Sequence, residues 1–135
     1  MNDDREAKLK DKERRLRVEV IGTLTDMGIE VQSLATWLDV SRMTVYRWLG
    51  DFFRPTVKDF AKIDLLLETA NKVKKDWTDV LISYNGHFHK AVRLTLYKPK
   101  ARRILESQLA YDEKISRLVA LTFNSWAKEK ERRND

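Results

Sequence analysis

The stretch VQSLATWLDVSRMTVYRWLG, residues 31–50, decides how the rest of the chain is read. Leu34, Ala35 and Leu38 fall on one face of a first short helix, and Val45, Trp48 and Leu49 form the matching stripe on a second. The two stripes can close on each other. Ala35 suits the point where the two backbones approach, because it has almost no side chain to hold them apart. Val40 lies between the helices as an apolar plug. Ser41 is a good N-cap, since its hydroxyl can accept from an amide two or three residues on, so the second helix is expected to start at about Arg42.

This spacing is that of a helix-turn-helix, two steeply crossed helices of which the second can lie in the major groove of DNA. The segment resembles the helix-turn-helix of the phage repressor and Cro (XRE-like) family. Its Ser-Arg-Met-Thr-Val-Tyr-Arg-Trp-Leu run is also similar to recognition helices of site-specific recombinases, transposases and small terminase subunits. Leu34-Ala35, Val40-Ser41, Val45 and Trp48 match the family pattern, whereas Asp39 stands where a turn glycine is expected. Asp tolerates the left-handed conformation of that position better than most residues, at some cost relative to Gly. About twenty residues carry the match, with a weaker extension over residues 14–70.

The resemblance implies that Ser41, Arg42, Met43, Thr44 and, one turn further, Arg47 face base edges. Arg42 and Arg47 would each bond guanine in bidentate fashion, and Met43 or Thr44 would touch a thymine methyl. Gln32 and Tyr46 are placed for phosphates. Arg54 and Lys58, near the expected start of another helix, are candidates to hold a phosphate alongside free amides. The plainer alternative is a helical hairpin whose arginines are only solvated.

With 135 residues the chain fits one domain, or a small domain with an extension, and 42% apolar content can support a core. Four Gly, two Pro and an abundance of Leu, Ala, Lys, Arg and Glu favour an all-α chain. There is no cysteine, which excludes disulfides, thiolate metal sites and cysteine nucleophiles. The start of the chain is charged and leads into no apolar run, so no signal peptide is expected, nor any membrane span. The expected location is the cytoplasm. The net charge of +6 is unevenly placed: residues 1–79 carry 15 basic and 15 acidic groups, and residues 106–135 carry six of each. The whole excess lies in Lys90, Arg93, Lys98, Lys100, Arg102 and Arg103, a possible second basic patch that attracts phosphates or acidic surfaces.

Outward from the central stretch, residues 1–12 read as a charged N-terminal arm, a solvated helix or frayed. Leu16, Val20, Ile21, Leu24 and Met27 predict a helix over about 14–27, stopped by Gly28 in a left-handed conformation. Phe52 or Phe53 is expected to seal the end of the small core; two adjacent aromatics in a loop can also form a binding site. A rod of about 29 residues, roughly 43 Å, is predicted from Pro55 or Thr56 to Tyr84. Ile63, Leu66, Ala70, Val73, Trp77, Val80 and Tyr84 make its apolar seam, widened by Leu67 and Leu81. A break near Asn71 is the alternative. Residues 91–97 read as helix or as strand.

A last helix is predicted over about 99–131, its stripe made of Ile104, Tyr111, Ile115, Leu118, Thr122 and Trp126, extended by Leu105, Leu109, Val119 and Phe123. Either this helix folds back along the rod or a second copy covers it. The expected organisation is a helix-turn-helix DNA-binding domain over 13–70 and a helical oligomerisation region over 71–135.

No catalytic constellation, phosphate loop or cofactor signature occurs, and His87 and His89 lack partners for a metal site, so an enzyme is not expected. The resemblance implies a sequence-specific binder of double-stranded DNA, a transcriptional regulator of phage-repressor type acting as a homodimer on a roughly palindromic site. The alternative is a DNA-packaging (small terminase-like) or replication-initiation component forming a larger ring. A third reading is a protein-interaction module that no longer binds DNA, its partner held by the C-terminal helices.

Overall fold

The computed structural model describes residues 2–82 and 98–134. They form six helices: α1 (Asn2–Asp26), α2 (Val31–Leu38), α3 (Arg42–Leu49), α4 (Val57–Ile82), α5 (Lys98–Leu105) and α6 (Tyr111–Asn134). No strand occurs among the described residues, and the chain is all-α there. Residues 91–97, left open between helix and strand, lie outside the described residues, as do Tyr84, Lys90 and Arg93.

α1 starts well before residue 14. Nothing in its charged first half breaks a helix, and Asp11 pairs with Arg15 one turn on (3.2 Å). Asp11 also pairs with Arg54, and Arg17 chelates Asp64 through two nitrogens (3.1 and 2.9 Å), so α1 and α4 run side by side in the same direction. The guanidinium of Arg17 lies 4.2 Å from the Phe60 ring centre. Ile21 and Leu24 are buried, but Leu16, expected on the apolar face, is exposed. Half-buried Val18 and Val20 pack against the core.

Gly28 ends α1 with φ 106° and the Ile29 amide reaches back to the Leu24 carbonyl (3.2 Å), a cap that satisfies a carbonyl the helix leaves free. Asn124 of α6 then grips the link, donating to the Gly28 carbonyl (3.1 Å) and accepting from the Glu30 amide (2.9 Å). A Cβ at Gly28 would touch Ala120 at 3.4 Å, so the link also lies close on α6.

α2 and α3 are two eight-residue helices joined by Asp39, Val40 and Ser41. Leu34, Ala35, Leu38, Val45 and Trp48 are buried between and beneath them. Asp39 takes the left-handed conformation (φ 56°), and the Val40 amide bonds the Ala35 carbonyl (3.1 Å). Ser41 caps α3 by accepting from the Thr44 amide (3.1 Å).

α4 is uninterrupted through Asn71. It begins one or two residues later than predicted because Thr56 and Asp59 close its first turn: the Asp59 carboxylate accepts from the Thr56 amide (3.0 Å) and hydroxyl (3.1 Å), and the Asp59 amide returns a bond to the Thr56 carbonyl (2.9 Å). Ile63, Leu66, Ala70, Val73, Trp77 and Val80 are buried along its seam. What covers that seam is α6, within the same chain. The Trp77 indole donates to the Thr122 hydroxyl (2.8 Å), which donates to the Leu118 carbonyl (2.8 Å), so this buried polar pair is satisfied.

The single helix expected over 99–131 is two. Ser107 breaks it by turning its hydroxyl to the Ile104 carbonyl (2.6 Å), a local bond that competes with helix continuation. Lys114 supplies the Leu105 carbonyl with a donor (2.9 Å). α5 thereby folds back and buries Ala101 and Leu105 against α6. The chain needed this turn because one straight helix cannot bring both stripes onto the same core. Tyr111, expected in the stripe, is left exposed at the start of α6, while Trp126 is half-buried.

α6 also packs on α2, where Trp37, Phe123 and Trp126 meet edge to face at 5.3–6.1 Å. The core therefore runs without a break from Ile21 through Trp48 and Trp77 to Phe123. No seam falls at residue 70, where a domain boundary was expected. The covering of α4 by α6 also meets the need that called for a second copy.

Candidate nucleic-acid interface

α3 has the sequence RMTVYRWL, with no acid in it. Val45 and Trp48 face the core; Arg42, Met43, Tyr46 and Arg47 are exposed. Helical geometry puts Arg42 and Arg47 roughly 7–8 Å apart along the axis. Among the described residues neither makes an ion pair, as is also true of the exposed Arg5, Arg103 and Arg132, while Arg17, Arg54, Arg117 and Arg133 each hold a carboxylate. Arg47 lies 5.6 Å from the Phe53 ring centre, a cation–π contact that leaves its five donors free.

Two of the five expected base contacts are committed locally. Ser41 and Thr44 share a hydroxyl bond of 2.9 Å, and Ser41 also holds the Thr44 amide. Their part is to brace the start of α3. The outward groups brought together are Arg42, Met43, Tyr46 and Arg47.

The expected backbone contacts divide. Tyr46 stands exposed on α3. Gln32 donates to the Glu131 carboxylate (3.3 Å), which also accepts from the Thr36 hydroxyl (2.8 Å), while Lys130 bonds the Thr36 carbonyl (3.4 Å). An anionic group thus already sits on the first turn of α2, where a phosphate was expected. Arg54 is taken up by Asp11 and Asp51, and these carboxylates, Asp11 foremost, raise its pKa above the ordinary guanidinium value. It ties α1 to the turn after α3. At the start of α4 the Asp59 carboxylate already holds the Thr56 amide, so an anion stands next to the exposed Lys58.

Of the second basic patch, Lys100, Arg102 and Arg103 are exposed on α5, and Lys98 is its first residue. Arg102 has Glu106 at 3.8 Å. α5 packs on α6, whereas α3 packs on α1 and α2, and the structure does not bring the two basic surfaces together.

Phe52 and Phe53 do not seal the core. They are 78% and 61% exposed, whereas the nearby Pro55 and Phe60 are buried. Nothing local in the sequence pointed to Glu131, which meets Gln32 from 99 residues away. No group of three or more metal-ligating side chains occurs among the described residues; His87 and His89 lie outside them. No described helix is long and apolar enough to cross a membrane.

No family model matches the chain, and no curated protein or solved structure is significantly similar to it.

Proposed function

We propose that this chain is a sequence-specific binder of double-stranded DNA that lays α3 in the major groove, in the manner of helix-turn-helix regulators of the phage-repressor type. One observation carries this: α3 presents two arginines that no carboxylate neutralises, on a helix braced by a capped turn and a buried Val45–Trp48 face. An exposed guanidinium without a carboxylate partner adds no ion-pair stability to the fold. In a major groove the same fork can bond guanine O6 and N7 together.

The supporting geometry is local to α2, α3 and their turn, since Asp39, Val40 and Ser41 fix the angle at which α3 leaves the core. The proposal includes two copies on a roughly palindromic site, half-sites being about 34 Å apart for one helical turn. That pairing rests on the symmetry of such sites rather than on an uncovered apolar stripe, because α6 already covers α4.

Selection from a random duplex pool tests the function. Enrichment of a defined site by the wild-type chain is expected, with solution mass on that site giving two copies. A pool that stays random after repeated rounds contradicts base readout.

A further inference from the structure

The exposed side of α3 does not end with the helix. Met43 and Tyr46 stand out from it, and Phe52 and Phe53 follow from the next turn, so an aromatic and apolar surface is interleaved with Arg42 and Arg47. The backbone that carries the phenyl rings is held in place. The Phe52 and Phe53 amides both bond the Arg47 carbonyl (3.0 and 3.4 Å), the Asp51 amide bonds that of Trp48 (3.2 Å), and Asp51 adopts φ 61°. Non-glycine residues rarely take that conformation, and the closed turn fixes it. One edge of the Phe52 ring lies close to Gly50, where an added Cβ would come within 2.9 Å of it.

Two exposed rings on a closed turn beside cations without a carboxylate fit one class of partner best. A purely apolar protein surface would have to desolvate Arg47, which already stacks near Phe53. Nucleic acid offers a flat π-face for the ring and a phosphate for the guanidinium within one nucleotide. The one acid of the turn, Asp51, is turned to Arg54 (3.4 Å) and adds little repulsion.

Resting on the DNA-binding reading above, we propose that Phe52 and Phe53 stack on bases, so that the chain prefers DNA with an unstacked step, such as a small bubble or a forked end, over a fully paired duplex.

Fluorescence anisotropy at fixed salt tests this, using a short mixed-sequence duplex, the same duplex with a small central bubble, and the single strand. The wild-type chain is expected to hold the bubble duplex roughly ten-fold more tightly than the paired one, the order of one base–aromatic stack. Phe52→Ala with Phe53→Ala should abolish that preference and Phe52→Trp should keep it, with circular dichroism unchanged in both. A 2-aminopurine in the bubble should be quenched by the wild-type chain and not by the double alanine variant. Tight binding to all probes without preference overturns the stacking proposal alone, as does a preference that survives the double substitution. Absence of binding to every probe overturns it together with the DNA-binding reading. Self-association of the wild-type chain that the double variant loses would assign the rings to a second copy and also overturn it.

Discussion

α3 and α6 both carry arginines on a solvent face, and they treat them differently. On α6, Arg117 and Arg133 each pair with the glutamate one turn earlier, Glu113 and Glu129, at 3.0 and 2.8 Å. Part of its surface charge is compensated within the helix, although Arg132, also exposed there, makes no ion pair among the described residues. On α3 there is no acid to pair with, and Arg42 and Arg47 remain open. The difference lies in the sequence of each helix rather than in packing, since both are anchored by buried apolar residues. An outer face that stabilises its own charges serves solubility, whereas one that leaves them free is suited to charges from elsewhere.

Substitutions sharpen this contrast, beginning with the buried side of α6. Trp77→Ala removes a fully buried indole at the α4–α6 seam and takes away the donor that the Thr122 hydroxyl accepts from, leaving that hydroxyl its own bond to the Leu118 carbonyl. It should cost about 3–5 kcal/mol, read as a lower midpoint in urea denaturation at unchanged slope. Asn124→Ala strips the α1–α2 link of two bonds from one side chain and should cost about 1–2 kcal/mol by the same measurement. If its cost is nil, the position of α2 on α6 is set by the Trp37–Phe123–Trp126 packing rather than by these two bonds.

Glu131→Gln removes the anion from the first turn of α2 while keeping an acceptor for Thr36. DNA affinity should rise by up to about 1 kcal/mol at low salt, with a smaller gain as salt increases. An unchanged affinity would place Glu131 away from the DNA. The smallest effect is expected from Arg117→Ala with Arg133→Ala, within about 0.5 kcal/mol in stability and with the preference among DNA sequences unchanged. A loss of sequence preference there would erase the distinction between the two helices.

The parts of this molecule legible in the sequence are those whose causes are local. Gly28 ends a helix, Asp39 turns left-handed and Ser41 caps because each conformation is set by residues within four positions. The apolar period likewise gave α4 and its seam. The break at Ser107 was harder to see, since serine is tolerated within helices and its choice depends on α5 having a place to fold back. Phe52 and Phe53 look like core by hydropathy; only the closed turn at Asp51 shows them pointing outward. At the candidate site, the helix-turn-helix resemblance implied that Arg42 and Arg47 face outward, and both are exposed. The engagement of Gln32 by Glu131 and of Arg54 by Asp11 was not legible, because those partners come from distant helices.

The most direct measurement compares the wild-type chain with the Arg42→Ala, Arg47→Ala double variant on its selected site and on an unrelated duplex, at one salt concentration. Each lost bidentate contact is worth about 1–3 kcal/mol of discrimination, so binding to the selected site should fall far more than binding to the unrelated duplex. Equal losses on both would show that α3 supplies charge without reading bases, and would contradict the account.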